Sequence, residues 1–186
     1  IMSVTKADEA IAAKQASHNH PTSRVGGMAA IMALLIVVFL IADQFVIFIV
    51  LSSIPVFAAG ALEDLGYNIK PVYRYYAALF SGFIAIYLTG IWLDDVDFTI
   101  LTPILAVPFI AISFTAFSSA GISNSINLID GVNGLASGVI SLIGSALCII
   151  SFSVGEVGLG TFCIILVGSI LGFFIWNFPK GLIFLG

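Results

Sequence analysis

Asn124, Asn127, Asp130 and Asn133 recur at every third position of the stretch Asn-Ser-Ile-Asn-Leu-Ile-Asp-Gly-Val-Asn-Gly-Leu-Ala, residues 124–136. Side chains three apart are surface neighbours on a helix, so each polar group would touch the next. The repeat drifts around the helix, and Asp130-Gly131 and Asn133-Gly134 are turn dipeptides able to break it. Long apolar runs lie on both sides. Carboxamides and a carboxylate in such surroundings are costly unless they meet a polar cavity, another polar group or a metal ion. That cost marks the stretch as a candidate site.

A second polar group is Glu63-Asp64, followed by Lys70 and Arg74. Adjacent carboxylates at a membrane face can bind Mg2+ through one or two oxygens and water, or take a proton from a nucleophile. An ordinary solvated loop has the same local look. His20-Pro21-Thr22-Ser23-Arg24-Val25-Gly26-Gly27 offers an arginine and glycine-exposed amides suited to phosphate oxygens, or simply a helix entry with a basic anchor. Trp176-Asn177-Phe178-Pro179-Lys180, taken alone, reads as an interfacial aromatic anchor followed by a lysine.

The elements that must carry these groups are apolar. Of the 186 residues, 60% are hydrophobic and 9% charged, more apolar than a soluble domain of this size requires and in keeping with a polytopic membrane protein. The fold class expected is all-α, a helical bundle in the bilayer with six spans at about 25–42, 45–62, 72–92, 98–120, 135–154 and 158–178. Each is near the ~20 residues that cross a bilayer. Pro103 and Pro108 would kink the fourth span, which membrane helices tolerate. The whole chain forms one membrane domain on this reading. Residues 1–24 lack the apolar core of a signal peptide. Cys148 and Cys163 stand alone in apolar runs, with neither disulfide nor metal spacing. The six basic residues form no patch for nucleic acid. The start at Ile1 and the end at Gly186 lead us to expect a fragment.

Six crossings alternate the loops between two faces. Residues 1–24, the 63–71 loop, the 124–134 stretch and the 179–186 end share one face with all six basic residues, Lys6, Lys14, Arg24, Lys70, Arg74 and Lys180. Basic residues concentrate in cytoplasmic loops, so that face is the cytoplasmic one. Asp94-Asp95 resembles Glu63-Asp64 locally but falls on the opposite face, and is read as a solvated loop. Polar motifs gathered on one face suggest a reaction between a soluble substrate and a lipid.

In this order the motifs resemble the polyprenyl-phosphate N-acetylhexosamine-1-phosphate transferase family. The matching residues are 20–27 (Pro-Thr-x-Arg-x-Gly-Gly), Glu63-Asp64 (usually Asp-Asp), 124–136 (Asn-x-x-Asn-x-x-Asp-Gly-x-x-Gly-Leu) and 176–186 (Trp-Asn-x-x-Pro, then Phe-x-Gly-Asp). The third motif is specific, and the others gain weight as an ordered set.

The resemblance implies transfer of a sugar 1-phosphate from a UDP-N-acetylhexosamine to undecaprenyl phosphate, with release of UMP and a requirement for Mg2+. It places the enzyme in a bacterial inner membrane, facing the cytoplasm, with a homodimer left open. Asn127 matches a metal or pyrophosphate ligand, with Asn124 and Asp130 beside it. Asp64 matches the carboxylate that deprotonates the lipid phosphate or, on another view of the family, forms an aspartyl intermediate, and it also stands among the metal ligands. Glu63 replaces the usual first aspartate, and Asn133, in the nucleotide-recognition region, stands where many members have aspartate. Arg24, Lys70 and Arg74 would neutralise phosphate charge.

The family's first helix, later helices, His-rich loop and the aspartate expected after residue 186 lie outside the chain, so the fragment alone is expected to be inactive. The arginine-containing 21–27 segment looks closer to the N-acetylglucosamine branch than to the peptidoglycan branch. A membrane transporter with a broken-helix polar site and a non-catalytic membrane scaffold are the competing classes.

Overall fold

The computed structural model describes residues 26–41 and 43–183, and among them the chain is helical, with no strand pairing into a sheet. In chain order the helices are α1 (Gly26–Ile41), α2 (Gln44–Asp64), α3 (Pro71–Thr89), α4 (Thr102–Leu105), α5 (Pro108–Ile129), α6 (Leu135–Val154) and α7 (Val157–Asn177). Four of them, α2, α5, α6 and α7, are long and apolar enough to cross a membrane. Sixteen residues give α1 a length of about 24 Å, short of the ~30 Å hydrocarbon layer. The fraction of α3 nearest its start is polar, with Arg74 among Tyr73, Tyr75 and Tyr76.

Large apolar side chains point outwards along these helices: Tyr87, Phe109, Leu142 and Ile175 are all strongly exposed. In water such surfaces would drive aggregation; against lipid they are the solvated face.

The described residues form two compact units, one from 43–125 and one from 26–41 with 126–183. In the first, α2 and α3 form a packed hairpin. Asp43 caps α2 by accepting from the Val46 N–H at 3.0 Å. Pro55 lies inside α2, and one residue later the Val56 N–H donates to Ser81 Oγ of α3 at 3.1 Å. Gly82 lets α3 approach α5: a Cβ there would lie 2.6 Å from Ser119 Oγ and 3.1 Å from Ala116 Cα. The Tyr75 and Phe117 rings meet edge to face at 6.3 Å.

In the second unit, α6 and α7 pack antiparallel and α1 lies on α7. Glycines again set the spacing, because a Cβ on Gly144 would lie 2.7 Å from Val167 and one on Gly160 2.8 Å from the Phe152 ring. Small residues at close crossings are how helices gain dispersion contact where lipid offers no hydrophobic incentive. Both cysteines are free thiols, Cys163 buried and Cys148 half-buried.

The fourth expected span differs from its sequence outline. Residues 98–107 form turns and the one-turn helix α4, and the long helix begins at Pro108 and runs on to Ile129. Pro103 lies in the first turn of α4, and Pro108 opens α5. At a first helical position the missing N–H costs nothing and the fixed φ is already right, so the prolines start helices here instead of kinking one. At the other end, polarity does not stop α5. The Ser125 hydroxyl satisfies itself on the Gly121 carbonyl at 2.8 Å, and the helix continues past Asn124 and Asn127 until the glycines. The third helix also ends early, at Thr89, because Gly90 adopts φ +69° and caps it.

Candidate functional site

Glu63 and Asp64 occupy the last turn of α2, and the way that helix stops fixes where they point. Gly66 takes φ +93°. Its N–H donates to the Glu63 carbonyl at 2.9 Å, and the Tyr67 N–H reaches back to the Leu62 carbonyl at 3.0 Å. These two bonds are the paired closure of a Schellman motif, for which glycine is the favoured residue. Five residues later Pro71 opens α3, with Lys70 at its N-cap and Arg74 in its first turn.

Both helix ends therefore carry charge of the wrong sign for their own dipoles. Carboxylates sit at the negative end of α2 and cations at the positive end of α3, each opposed by about 0.3–1 kcal/mol. Arg74 bonds to Glu63 across the hairpin, with both side chains about a quarter exposed. An ion pair that accessible to water contributes about 0–1 kcal/mol, enough only to offset the dipole terms. Asp64 also has polar or electrostatic partners. Concentrating charge against the dipoles is poor for stability and suits an anion- or cation-handling site.

The second cluster is built differently. Asn124 is exposed on α5 and Asn127 is half-buried one turn later. The helix ends at Ile129, residues 130–134 form a turn, and α6 begins at Leu135. The two turn dipeptides thus break the helix where their glycines permit. Gly134 is the N-cap of α6 with φ +74°, and a Cβ there would strike the Phe178 ring at 2.8 Å. Its N–H donates to the Asn177 side-chain oxygen. The Asn133 side-chain amide donates to the Pro179 carbonyl at 2.9 Å. Asn127 and Asp130 are also engaged in polar or electrostatic contacts. The break falls between two helices each long enough to cross a membrane, not inside one, which removes the broken-helix premise of a transporter.

The structure thus brings Glu63, Asp64, Lys70 and Arg74 to one end of the α2–α3 hairpin, and Asn127, Asp130 and Asn133 to the turn before α6 and the helical residues leading into it. The two groups belong to different compact units. Arg24 and the rest of the 20–25 segment lie outside the described residues. Asp95 has a local role: its Oδ1 accepts from the Thr102 hydroxyl at 2.7 Å and the Asp97 N–H at 2.9 Å. Those bonds, the Thr102 hydroxyl first, hold its carboxyl below the usual carboxylate range.

Asn177 is the residue that sequence reading left out of the site. It is 2% exposed at the end of α7 and bonds to Gly134 and, through its amide nitrogen, to the Ile183 carbonyl at 2.7 Å. The sequence carried two signals for it, an asparagine closing a largely apolar helix and its place in the Trp-Asn-x-x-Pro match.

The donors on both clusters are hard oxygens: carboxylates of Glu63, Asp64 and Asp130, and the carboxamide of Asn127. Mg2+ prefers such ligands and usually takes only one or two carboxylates from the protein, completing its shell with water and phosphate. Among the described residues no three acidic, histidine or cysteine side chains gather into a metal-holding group. Hard-oxygen donors of this kind suit Mg2+ by their chemistry.

Residues 46–186 match the family described as glycosyl transferase family 4. The chain is also similar to phospho-N-acetylmuramoyl-pentapeptide-transferase of Staphylococcus carnosus (strain TM300), 38% identical over 100 residues, 54% of this chain and 30% of that protein. The protein of the same name from Staphylococcus aureus (strain bovine RF122 / ET3-1) is 41% identical over 85 residues, 44% of this chain and 26% of the relative. The aligned segments span less than a third of the length of these curated relatives. No solved structure matches the chain.

Proposed function

The chain belongs to glycosyl transferase family 4, and from that premise we propose that the protein it represents transfers a sugar 1-phosphate from a UDP-N-acetylhexosamine to undecaprenyl phosphate, in cell-envelope glycan synthesis. The observation that carries the reading is the Asn127, Asp130 and Asn133 series held at a helix-terminating turn within the family match. A reaction between two anions needs charge neutralised and one oxygen made nucleophilic. Asp64 takes the proton from the lipid phosphate. That oxygen forms a bond to the sugar-bearing phosphorus of the donor, the bond between the donor's two phosphates breaks, and UMP leaves. Lys70, Arg74 and Arg24 neutralise phosphate charge, Arg74 sharing its guanidinium with Glu63. Asn124 and Asn133 orient the donor, and Asp130, at the turn that carries Asn133, faces the reacting phosphates. Asp64 and Asn127 would hold Mg2+, which supplies positive charge to the phosphate oxygens.

The site faces the cytoplasm of a bacterial inner membrane, as the distribution of basic residues suggests. On the six-span reading, the alternation of loops would put residues 63–71 and 124–134 on that same face. The donor has two readings. The 21–27 segment favours N-acetylglucosamine, and the names of the relatives favour phospho-N-acetylmuramoyl-pentapeptide.

One experiment tests the proposal and separates the donors. The complete purified protein is assayed for UMP release from undecaprenyl phosphate with UDP-N-acetylglucosamine or with UDP-N-acetylmuramoyl-pentapeptide, each with and without Mg2+. Metal-dependent release with one donor supports the transferase and names its sugar. No release with either donor overturns the reading.

A further inference from the structure

Asn177 is the largest polar side chain buried almost completely among the described residues, and it lies in the last turn of a largely apolar helix. Burying a carboxamide is unfavourable unless its donor and acceptor are both used. Here both are used, and on two different segments. The side-chain oxygen accepts from the Gly134 N–H, and the side-chain nitrogen donates to the Ile183 carbonyl. The Asn177 backbone carbonyl also accepts from the Gly181 N–H at 2.6 Å.

Two neighbours reinforce this tie. Asn133 donates to the Pro179 carbonyl, and the Phe178 ring lies against Gly134 while stacking on Phe174 at 5.3 Å. The turn of residues 130–134 and the chain leaving α7 thus meet through paired hydrogen bonds, with Asn177 contributing to both strands of the junction.

The Gly134 N–H belongs to the peptide that also carries the Asn133 carbonyl. Any displacement of the Asn177 carboxamide therefore rotates the peptide joining Asn133 to the α6 N-cap, and the polar series moves with it. We propose that Asn177 is a positioning residue: it holds the 130–134 turn and the 179–183 segment in fixed register, so that Asp130 and Asn133 meet the reacting phosphates in one geometry. The inference rests on the transferase reading. Leucine has the same branching but neither bond, glutamine displaces the amide by one methylene, and neutral aspartic acid alone reproduces both donor and acceptor in place.

The test uses the complete protein, with wild type, Asn177→Ala and Asn177→Asp compared in detergent. Asn177→Ala should lower kcat about 10–100-fold and raise the Mg2+ concentration for half-maximal rate, as loss of an orienting partner does, while eluting as folded protein. Asn177→Asp should keep activity at acid pH and lose it as pH rises through the new carboxyl's pKa, a limb absent from wild type. Hydrogen exchange should quicken in Asn177→Ala over the peptide that contains Gly134. Unchanged kcat, Mg2+ profile and exchange in Asn177→Ala would overturn the proposal. If that variant does not fold, the Asn177→Asp pH series decides, and a profile matching wild type overturns it. If wild type itself releases no UMP, the transferase reading fails separately. The exchange measurement then decides the clasp alone: faster exchange supports it, and unchanged exchange overturns it.

Discussion

The ends of two helical hairpins in this protein handle polar groups in opposite ways. At the α2–α3 end the groups are charged, partly exposed and joined side chain to side chain, as with Arg74 and Glu63. At the α6–α7 end they are mainly carboxamides, joined to backbone, with Asn177 buried at the centre. Water can replace a partner at the first, but not around the buried Asn177 carboxamide of the second. The first should therefore tolerate substitution structurally while depending on it chemically; the second should lose structure and chemistry together.

The largest expected effect tests the chemical half of that contrast. Asp64→Asn in the complete protein should reduce UMP release about 10²–10⁴-fold, the usual weight of a general base, with little change in thermal midpoint. Robust release from this variant would remove Asp64 from the assigned role. Next is Gly134→Ala. The residue would need φ +74° with its Cβ 2.8 Å from the Phe178 ring, a backbone cost of about 1–3 kcal/mol before the clash. Thermal melting in detergent should show the loss, and activity should fall with it.

A smaller effect is expected from Glu63→Gln, which breaks the exposed ion pair. Stability should change by about 0–1 kcal/mol, while release of Arg74 should alter KM for the UDP-sugar more than the melting temperature. A stability loss as large as that of Gly134→Ala would erase the distinction between the two ends. The smallest effect concerns Asp95, far from either cluster in sequence. Its carboxyl is held below the usual range by Thr102 and Asp97, so its contribution is present above the unfolded carboxylate pKa. That contribution is lost as pH falls through the depressed folded value. Amide protection at residues 95–102, corrected for the intrinsic pH dependence of exchange, should fall in acid, and Asp95→Ala should remove that dependence without affecting UMP release.

The helical, membrane-type class was legible because apolar runs of span length leave few alternatives. Asp130-Gly131 and Asn133-Gly134 announced the turn by residue type, since glycine permits what Asn and Asp side chains favour. What sequence hid depends on partners distant along the chain. Asn177 looked like part of an aromatic anchor because its value lies in Gly134, 43 residues earlier. Pro108 looked like a kink because the same residue starts or bends a helix according to whether a helix precedes it. The pairing of Glu63 with Arg74 was implicit in their charges, but nothing local said which of the neighbouring acids the arginine would take.

The bond from the Val56 N–H to Ser81 Oγ bears on how this protein is made. Next to Pro55, α2 carries a backbone donor whose side-chain partner lies on α3, 25 residues downstream. A ribosome delivers α2 first, and among lipid tails an isolated α2 has neither the Ser81 hydroxyl nor water to accept from that N–H. Membrane integration of α2 should therefore be more efficient when α3 has followed it out of the ribosome, so that the two enter as a hairpin. Ser81→Ala would weaken insertion without touching any residue of the site.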